Sequence, residues 1–371
     1  MLQRLYIHNY RCFENFELSL QETPSILLVG KNGSGKSTIA DALQVFQNIG
    51  RRVNRVGKLV KPKDFAWGRS KVPIRFEIEV LLKGKLYEYS LALELPERFK
   101  ELRVAEERLT VGGDNIFIRQ EAQVTLHARP NHEAQFFVDW HLAALPLIQE
   151  QSETDPLFIL KTWLSRMIIF SPIPILMSGD SDDETLEPKR DGSNFSEWLT
   201  GLLTRYPAAY TPIEKYLRKV MPDLKDFLNE PTGKETKSTT VRFEERDADL
   251  SVSFKDLSDG EKCFFLCAAV LAANQFYGPL FCFWDEPDNY LSLSEVGHFV
   301  TDLRRSFLQK GQILTTSHNP EAIRKFAPEN TLALVRRGHL EPTSARLVSD
   351  LPIKEDLVDA LILGDIDHEF K

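Results

Sequence analysis

Four short stretches carry residue types that could act on a phosphate. The first is GKNGSGKST, Gly30 to Thr38, directly after the apolar run Ile26 to Val29. Glycines at this spacing let backbone N–H groups turn inward around phosphate oxygens. Lys36 then supplies positive charge to the β and γ phosphates, and the Ser37 hydroxyl reaches Mg²⁺. Gly30, Asn32, Gly33, Ser34, Gly35, Lys36, Ser37 and Thr38 are the expected contact set, the plainer alternative being a glycine-rich turn that caps a helix. The second stretch is LFCFWDEPDNYL, Leu280 to Leu291, where an apolar run delivers Asp285 and Glu286. A carboxylate at the end of a buried strand can hold Mg²⁺ through a water, and its neighbour can polarise an attacking water. An ordinary strand entering an acidic turn would look the same locally.

The third stretch, LSDGEK, places Ser258 27 residues before Asp285. Ser258 with Glu261 reads as a capping box, which suffices locally. Ser258, the Gly260 N–H and the positive helix end could equally present an anion site. The fourth, TTSHNP, sets His318 beyond an apolar run, 33 residues after Asp285. A lone histidine is commonly structural or exposed, yet here it could touch a γ-phosphate.

These residues need elements to hold them. Residues 2–7 and 15–20 read as a strand pair, Ile26 to Val29 as a buried strand and Ser37 to Phe46 as the following helix. Alternation at Ile74 to Leu82, Leu86 to Leu95, Leu109 to Val111 and Ile116 to Ile118, with a turn at 112–115, predicts antiparallel hairpins. Trp163 to Phe170 reads as a strand ending at Ser171-Pro172, Asp180 to Asp191 as an acidic loop, and Phe195 to Leu228 as helical, interrupted by Pro207, Pro212 and Pro222. A helix from Ser258, a strand at Leu280 to Trp284, a helix at Leu293 to Phe307 and a strand at Gln312 to Thr316 predict an α/β lobe with a parallel sheet. No heptad repeat is sustained, so no long coiled coil is expected.

Length and composition bound the answer. The 371 residues, 42% hydrophobic and 27% charged, suit a globular chain of about two lobes. Cys12, Cys263, Cys267 and Cys282 sit in apolar runs without metal-ligand spacing, which fits core thiols in a reducing compartment. No apolar run approaches a transmembrane span and the N-terminus lacks a signal pattern, so a soluble cytoplasmic protein is expected. Net charge is −8, against a wholly basic nucleic-acid coat. Arg51 to Lys71 nonetheless holds eight basic residues with only Asp64 opposing them. That run is either a solvated basic loop or a phosphate-backbone contact in which Trp67 stacks on a base.

The four motifs in this order resemble the ABC-type ATPases, with LSDGE similar to the signature motif, Asp285-Glu286 to the Walker B pair and Ser317-His318 to the switch histidine. The opening IHNYRCFENFEL, the antiparallel first lobe, DEPDNYL and TTSHNP resemble the SMC, RecF and OLD branch, and most closely its compact coiled-coil-free ATPases of bacterial anti-phage systems. The resemblance implies an α/β ATPase head with a P-loop sheet, an antiparallel β lobe and a helical lobe. Its expected divisions are 1–170 with the P-loop, 171–250 as helical insertion and 251–371 with signature, Walker B and histidine.

It implies ATP and Mg²⁺ as cofactors, Lys36, Ser37 and Asp285 as nucleotide and metal ligands, and Glu286 as general base. It further implies His318 at the γ-phosphate, Arg11 of NYRCF near the nucleotide, and Ser258 acting in trans across an ATP-bridged homodimer. The role implied is a DNA-sensing or DNA-clamping switch over a separate effector such as a nuclease. DNA repair or recombination is the alternative, and a transporter subunit, a translation factor or a scaffold with a degenerate site are weaker rivals. Two departures from the pattern are Ser171-Pro172 where a glutamine usually stands, with Gln120 only a superficial match, and Ser292 in place of an aspartate. Only 53 residues follow His318 and Asp365-Ile366-Asp367 reads as an acidic tail, so a nuclease is expected to be a separate protein.

Overall fold

The computed structural model describes residues 1–360 apart from 22, 130–131, 234–235, 247 and 352–357, so Asp365-Ile366-Asp367 lie outside the described residues. Its contacts divide the chain into two compact units, Met1–Met167 with Pro328–Lys371, and Ile168–Ala327. The segment from Pro328 groups with the N-terminal residues in this division, whereas the cuts expected from sequence were at 170 and 250.

In the first unit β1 (Leu2–His8) and β2 (Phe16–Ser19) pair antiparallel, and β3 (Ser25–Val29) is buried along its whole length. Next come α1 (Lys36–Gly50), a short α2 (Val56–Leu59), β4 (Ile74–Leu82), β5 (Lys85–Glu94), β6 (Arg103–Val111), β7 (Asp114–Gln120), β8 (Gln123–Arg129) and β9 (His132–Phe137). An antiparallel sheet runs β2-β1-β4-β5-β6-β7-β8-β9. The hairpin at Gly112-Gly113 is tighter than expected, since Asp114 already pairs with Val111. Helix α3 (Pro156–Ser165) corrects the strand reading at Trp163 to Ser165, the strand being confined to Ile168–Phe170. Asp155 caps it by accepting from the Leu157 N–H at 2.8 Å, and Pro156 opens it with a pre-set φ.

The second unit contains β10 (Ile168–Phe170), β11 (Asp180–Ser181), α4 (Phe195–Arg205), α5 (Tyr210–Val220), β12 (Leu224–Pro231), β13 (Lys237–Glu245), β14 (Ala248–Ser253) and α6 (Asp259–Tyr277). After them come β15 (Phe281–Trp284), α7 (Leu293–Gln309), β16 (Gln312–Thr316) and α8 (Pro320–Ile323). Strands β10, β15 and β16 are parallel neighbours. Residues 224–228 are strand, not helix: β12 pairs along β13, which also carries β11 and β14, so the expected helical insertion is in part an antiparallel sheet. Burial of Leu224 and Phe227 against Val241 wins over local helix propensity there. Returning to the first unit, β17 (Thr331–Val335) runs parallel to β3 and antiparallel to β18 (Ser344–Leu347). Among the described residues the longest helix has 19 residues, and none is long and apolar enough to cross a membrane.

A buried polar knot ties the antiparallel sheet to the segment after it. Glu107, fully buried, accepts from the Tyr89 hydroxyl at 2.9 Å and from the Ala144 and Leu145 N–H groups at 2.6 and 2.8 Å. Arg119 lies 3.6 Å away and donates to the Asp139 carbonyl at 2.9 Å. Removing one member strands the others in a low dielectric. Glu107→Ala is expected to cost about 3–5 kcal/mol in urea unfolding; an unchanged midpoint would refute it.

Candidate phosphate and hydrolysis sites

In the first unit β3 delivers the chain into the loop 30–35, and α1 starts at Lys36. A Cβ on Gly30 would meet the Leu334 carbonyl at 2.4 Å, so only glycine lets β17 approach this closely. Gly35 has φ +103, and a Cβ there would crowd Cys12 Sγ and the Phe13 ring at 3.0 Å. Outside Gly33 the space is open within 4 Å. Lys36 reaches back across the loop to the Gly30 and Lys31 carbonyls at 2.6 and 3.2 Å. The first turn of α1 carries no acidic side chain and no side-chain cap, so its positive end is left for an anion. Together these features fit a phosphate group: a glycine cradle, a lysine laid across it and an uncapped helix start.

Arg11 sits beside this loop, next to Cys12 and Phe13, with φ +51. Its guanidinium is tied to Asp41 of α1 and to Asp64 Oδ1, the latter at 3.0 Å. Two neighbours were not anticipated from sequence. Thr343 donates to the Ser34 carbonyl at 2.9 Å, fixing the loop from behind. Arg336 donates to the Glu341 carbonyl at 2.9 Å and reaches the Gly33 carbonyl at 3.5 Å. Neither lies in a motif, and both come from a segment some 300 residues later in the chain.

The basic run Arg51 to Lys71 is partly spoken for. Arg55 makes a bidentate pair with Glu101 at 2.9 and 2.7 Å, Arg69 pairs with Glu14 at 2.8 Å, and Arg51 donates to the Ser165 carbonyl at 3.1 Å. The Trp67 indole N–H bonds the His339 carbonyl at 2.8 Å, with the Arg69 guanidinium 4.7 Å from its ring. Arg52, Lys58, Lys63 and Lys71 remain exposed.

In the second unit β15 is buried throughout and runs into Asp285, whose N–H still bonds the Phe170 carbonyl at 2.8 Å. The end of β16 then hooks this turn residue by residue. Thr316 Oγ1 donates to Asp285 Oδ1 at 2.7 Å and accepts from the Glu286 N–H at 2.9 Å. Ser317 Oγ donates to Asp288 Oδ2 at 2.9 Å, and His318 Nε2 lies 3.3 Å from Glu286 Oε1. Glu286 has φ +49, a left-handed conformation that costs a non-glycine residue about 1–3 kcal/mol and collects at functional sites. Burial pushes the Asp288 carboxyl up to about 6. Asp288 was not singled out from sequence; an aspartate in a turn directly after the acidic pair was the available signal.

Ser258 caps α6 as the capping-box pattern requires, accepting from the Glu261 N–H at 3.3 Å while Glu261 Oε2 accepts from the Ser258 N–H and Oγ, each at 2.7 Å. Gly260 lets the helix start approach the turn after Glu286, since a Cβ would sit 3.0 Å from the Tyr290 carbonyl. Ser292, the departure from the pattern, caps α7 with Glu295. Lys36, Ser37 and Arg11 thus belong to one unit, and Ser258, Gly260, Asp285, Glu286 and His318 to the other.

Comparison with known proteins gives this geometry a family. The fold resembles an SMC head bound to the C-winged helix domain of ScpA, with TM-score 0.58 and 13% identity over 94% of this chain and 98% of that one. It also resembles an SMC head domain with an extended coiled coil bound to a ScpA domain derived from Pyrococcus furiosus, with TM-score 0.51 and 13% identity over 98% and 99% of the two chains. A shorter match reaches DNA replication and repair protein RecF of Rickettsia canadensis (strain McKiel) and Rickettsia rickettsii (strain Sheila Smith), each 49% identical over 45 residues. Those 45 residues are 12% of this chain and 12% of the relatives. A family model matches residues 25–324, from the strand before the phosphate loop to beyond His318. The chain therefore belongs to the AAA domain family described as putative AbiEii toxin, Type IV TA system.

Proposed function

We propose that the protein binds ATP with Mg²⁺, hydrolyses it, and uses the cycle to join and release two copies of itself. The observation that carries this reading is the turn after β15, where Glu286 and His318 stand 3.3 Å apart at the end of a buried parallel strand. By this reading Gly30 to Thr38 cradle the phosphates, with Lys36 on the β and γ oxygens, and Ser37 and Asp285 hold the metal. Mg²⁺, when bound, neutralises charge on the transferring phosphoryl group. Glu286 takes the proton of the attacking water, and His318 both orients Glu286 and meets the γ-phosphate. Ser258 and Gly260 complete the site of the other copy, with Arg11 close to the nucleotide.

The cycle would serve as a DNA-sensing or DNA-clamping switch over a separate effector such as a nuclease in anti-phage defence. The toxin–antitoxin description of the family supports a defensive role. A second reading, an ATPase of DNA repair or recombination, is favoured by the RecF match. Phosphate release from ATP with Mg²⁺, present in wild type and absent in Lys36→Ala, tests the core of the proposal; equal release in both would refute it.

DNA contact is assigned to the exposed remainder of the basic run. Arg52, Lys58, Lys63 and Lys71 replaced together by Ala should weaken duplex binding and flatten its log–log salt slope by up to about 0.9 for every DNA phosphate that is no longer neutralised. Basal ATP hydrolysis should stay unchanged. Equal affinity and slope in wild type and variant would remove this surface as the DNA site.

A further inference from the structure

The turn that follows Glu286 contains a residue assigned no role so far. The Asn289 N–H bonds the Glu286 carbonyl at 3.3 Å, closing a four-residue turn whose second position is Pro287. Proline there pre-sets the backbone angle such turns need. The turn brings the Asn289 side chain back over Glu286, and Asn289 Nδ2 donates to Glu286 Oε2 at 2.5 Å. An ionised carboxylate only accepts, so the amide must present its nitrogen here. Glu286 is therefore held by its two oxygens from two directions, Oε2 by Asn289 and Oε1 by His318 at 3.3 Å. The two holds differ in kind. Asn289 is bound to Glu286 through its own turn, whereas His318 comes from the end of β16 and is the group assigned to the γ-phosphate.

We propose that Asn289 is the positioning residue of hydrolysis: its amide fixes the Glu286 carboxylate through Oε2, so that Oε1 stays aimed when His318 turns to the nucleotide. The adjacent Asp288 supports the arrangement from the other side. It is buried, and it holds Ser317, the residue before His318, at 2.9 Å. One short turn thereby governs both the base and the loop that carries the histidine. Without the amide, the Glu286 carboxylate, on a backbone at φ +49, would keep of these two holds the one from a histidine that leaves it. The inference rests on Glu286 being the base.

The test pairs Asn289→Ala with Glu286→Gln, alone and combined, in the full chain. Readouts are kcat and KM for ATP, affinity for a fluorescent ATP analogue under non-turnover conditions, and thermal unfolding without nucleotide. Asn289→Ala should lower kcat about ten- to a hundredfold, the worth of one hydrogen bond to a charged group. KM, analogue affinity and the unfolding midpoint should barely move. Asn289→Asp should be at least as impaired, because two carboxylates then face each other. In the Glu286→Gln background Asn289→Ala should cost nothing further, since a residue acting through Glu286 has nothing left to position. Unchanged kcat in Asn289→Ala, an equal loss in both backgrounds, or a loss expressed in KM would each overturn the inference. If Glu286→Gln kept wild-type turnover, the assignment of the base would fall and this inference with it. Impaired Glu286→Gln beside unimpaired Asn289→Ala would sink the inference alone.

Discussion

Glu286→Gln should bind ATP as wild type does, lose about 10² to 10⁴ in turnover, and accumulate as a dimer with ATP and Mg²⁺. The magnitude is that of removing a positioned general base. The substitution preserves size and can still accept from Asn289 Nδ2 through its amide oxygen, so the turn should hold its shape. Asp285, the proposed metal ligand, keeps its bond from Thr316 and is left in place. On the proposed mechanism, what disappears is the ability to take a proton from water, and a bound γ-phosphate that cannot leave would keep two copies joined. Sizing chromatography with ATP at micromolar protein checks the second half of the expectation. A monomeric Glu286→Gln would reject dimerisation through ATP while leaving hydrolysis to be judged by its own assay.

Ser258→Arg should lower hydrolysis about 10² to 10³-fold, the loss seen when a donor to a transition-state oxyanion is removed. Nucleotide binding to the isolated subunit should remain nearly intact, because on the proposed reading Ser258 serves the site of the other copy and not that of its own chain. The substitution also deletes a cap worth about 0.5–2 kcal/mol. Helix α6 survives that loss through its buried face, which includes Phe265, Leu266, Ala269 and Val270. Its N-terminus is simultaneously where the Glu261 carboxylate now occupies the Ser258 hydroxyl at 2.7 Å, so engaging a phosphate requires exchanging that partner. Mixing Ser258→Arg with Lys36→Ala tests the geometry. A mixed dimer has one site with wild-type Lys36 and Ser258 only if the serine acts across the boundary. Heterodimers that form and recover no activity would refute action in trans.

How far the chain could be read depended on how local each determinant is. Strand β3, helix α1, the capping box at Ser258, strand β15 and strand β16 all follow from nearest-neighbour patterns, namely an unbroken apolar run, a cap and a 3.6 or two-residue period. They matched the structure to within a few residues for the same reason. The misreadings fell where distant partners decide. Leu224 to Leu228 carries a pattern that a helix could use, and becomes strand because β13 supplies a ladder and a buried face. Trp163 to Ser165 is apolar enough for a strand, but the Asp155-Pro156 cap several residues back had already started a helix.

The same division runs through the sites. Residue types and spacing alone determined that Gly30 to Gly35 is a glycine-rich loop between a buried strand and a helix and that Asp285 and Glu286 follow a buried strand, because each depends on a few consecutive residues. Tertiary structure decided which charges in Arg51 to Lys71 remain exposed, since Glu101 and Glu14 take up two of the arginines from remote positions. It also brought Arg336 and Thr343 to the phosphate loop, and it set Thr316, Ser317 and His318 against Asp285, Asp288 and Glu286. Those pairings join residues about 30 to 300 positions apart in the chain. No local propensity specifies them: they form only when burial of whole sheets has closed the intervening loops and brought the strand ends together.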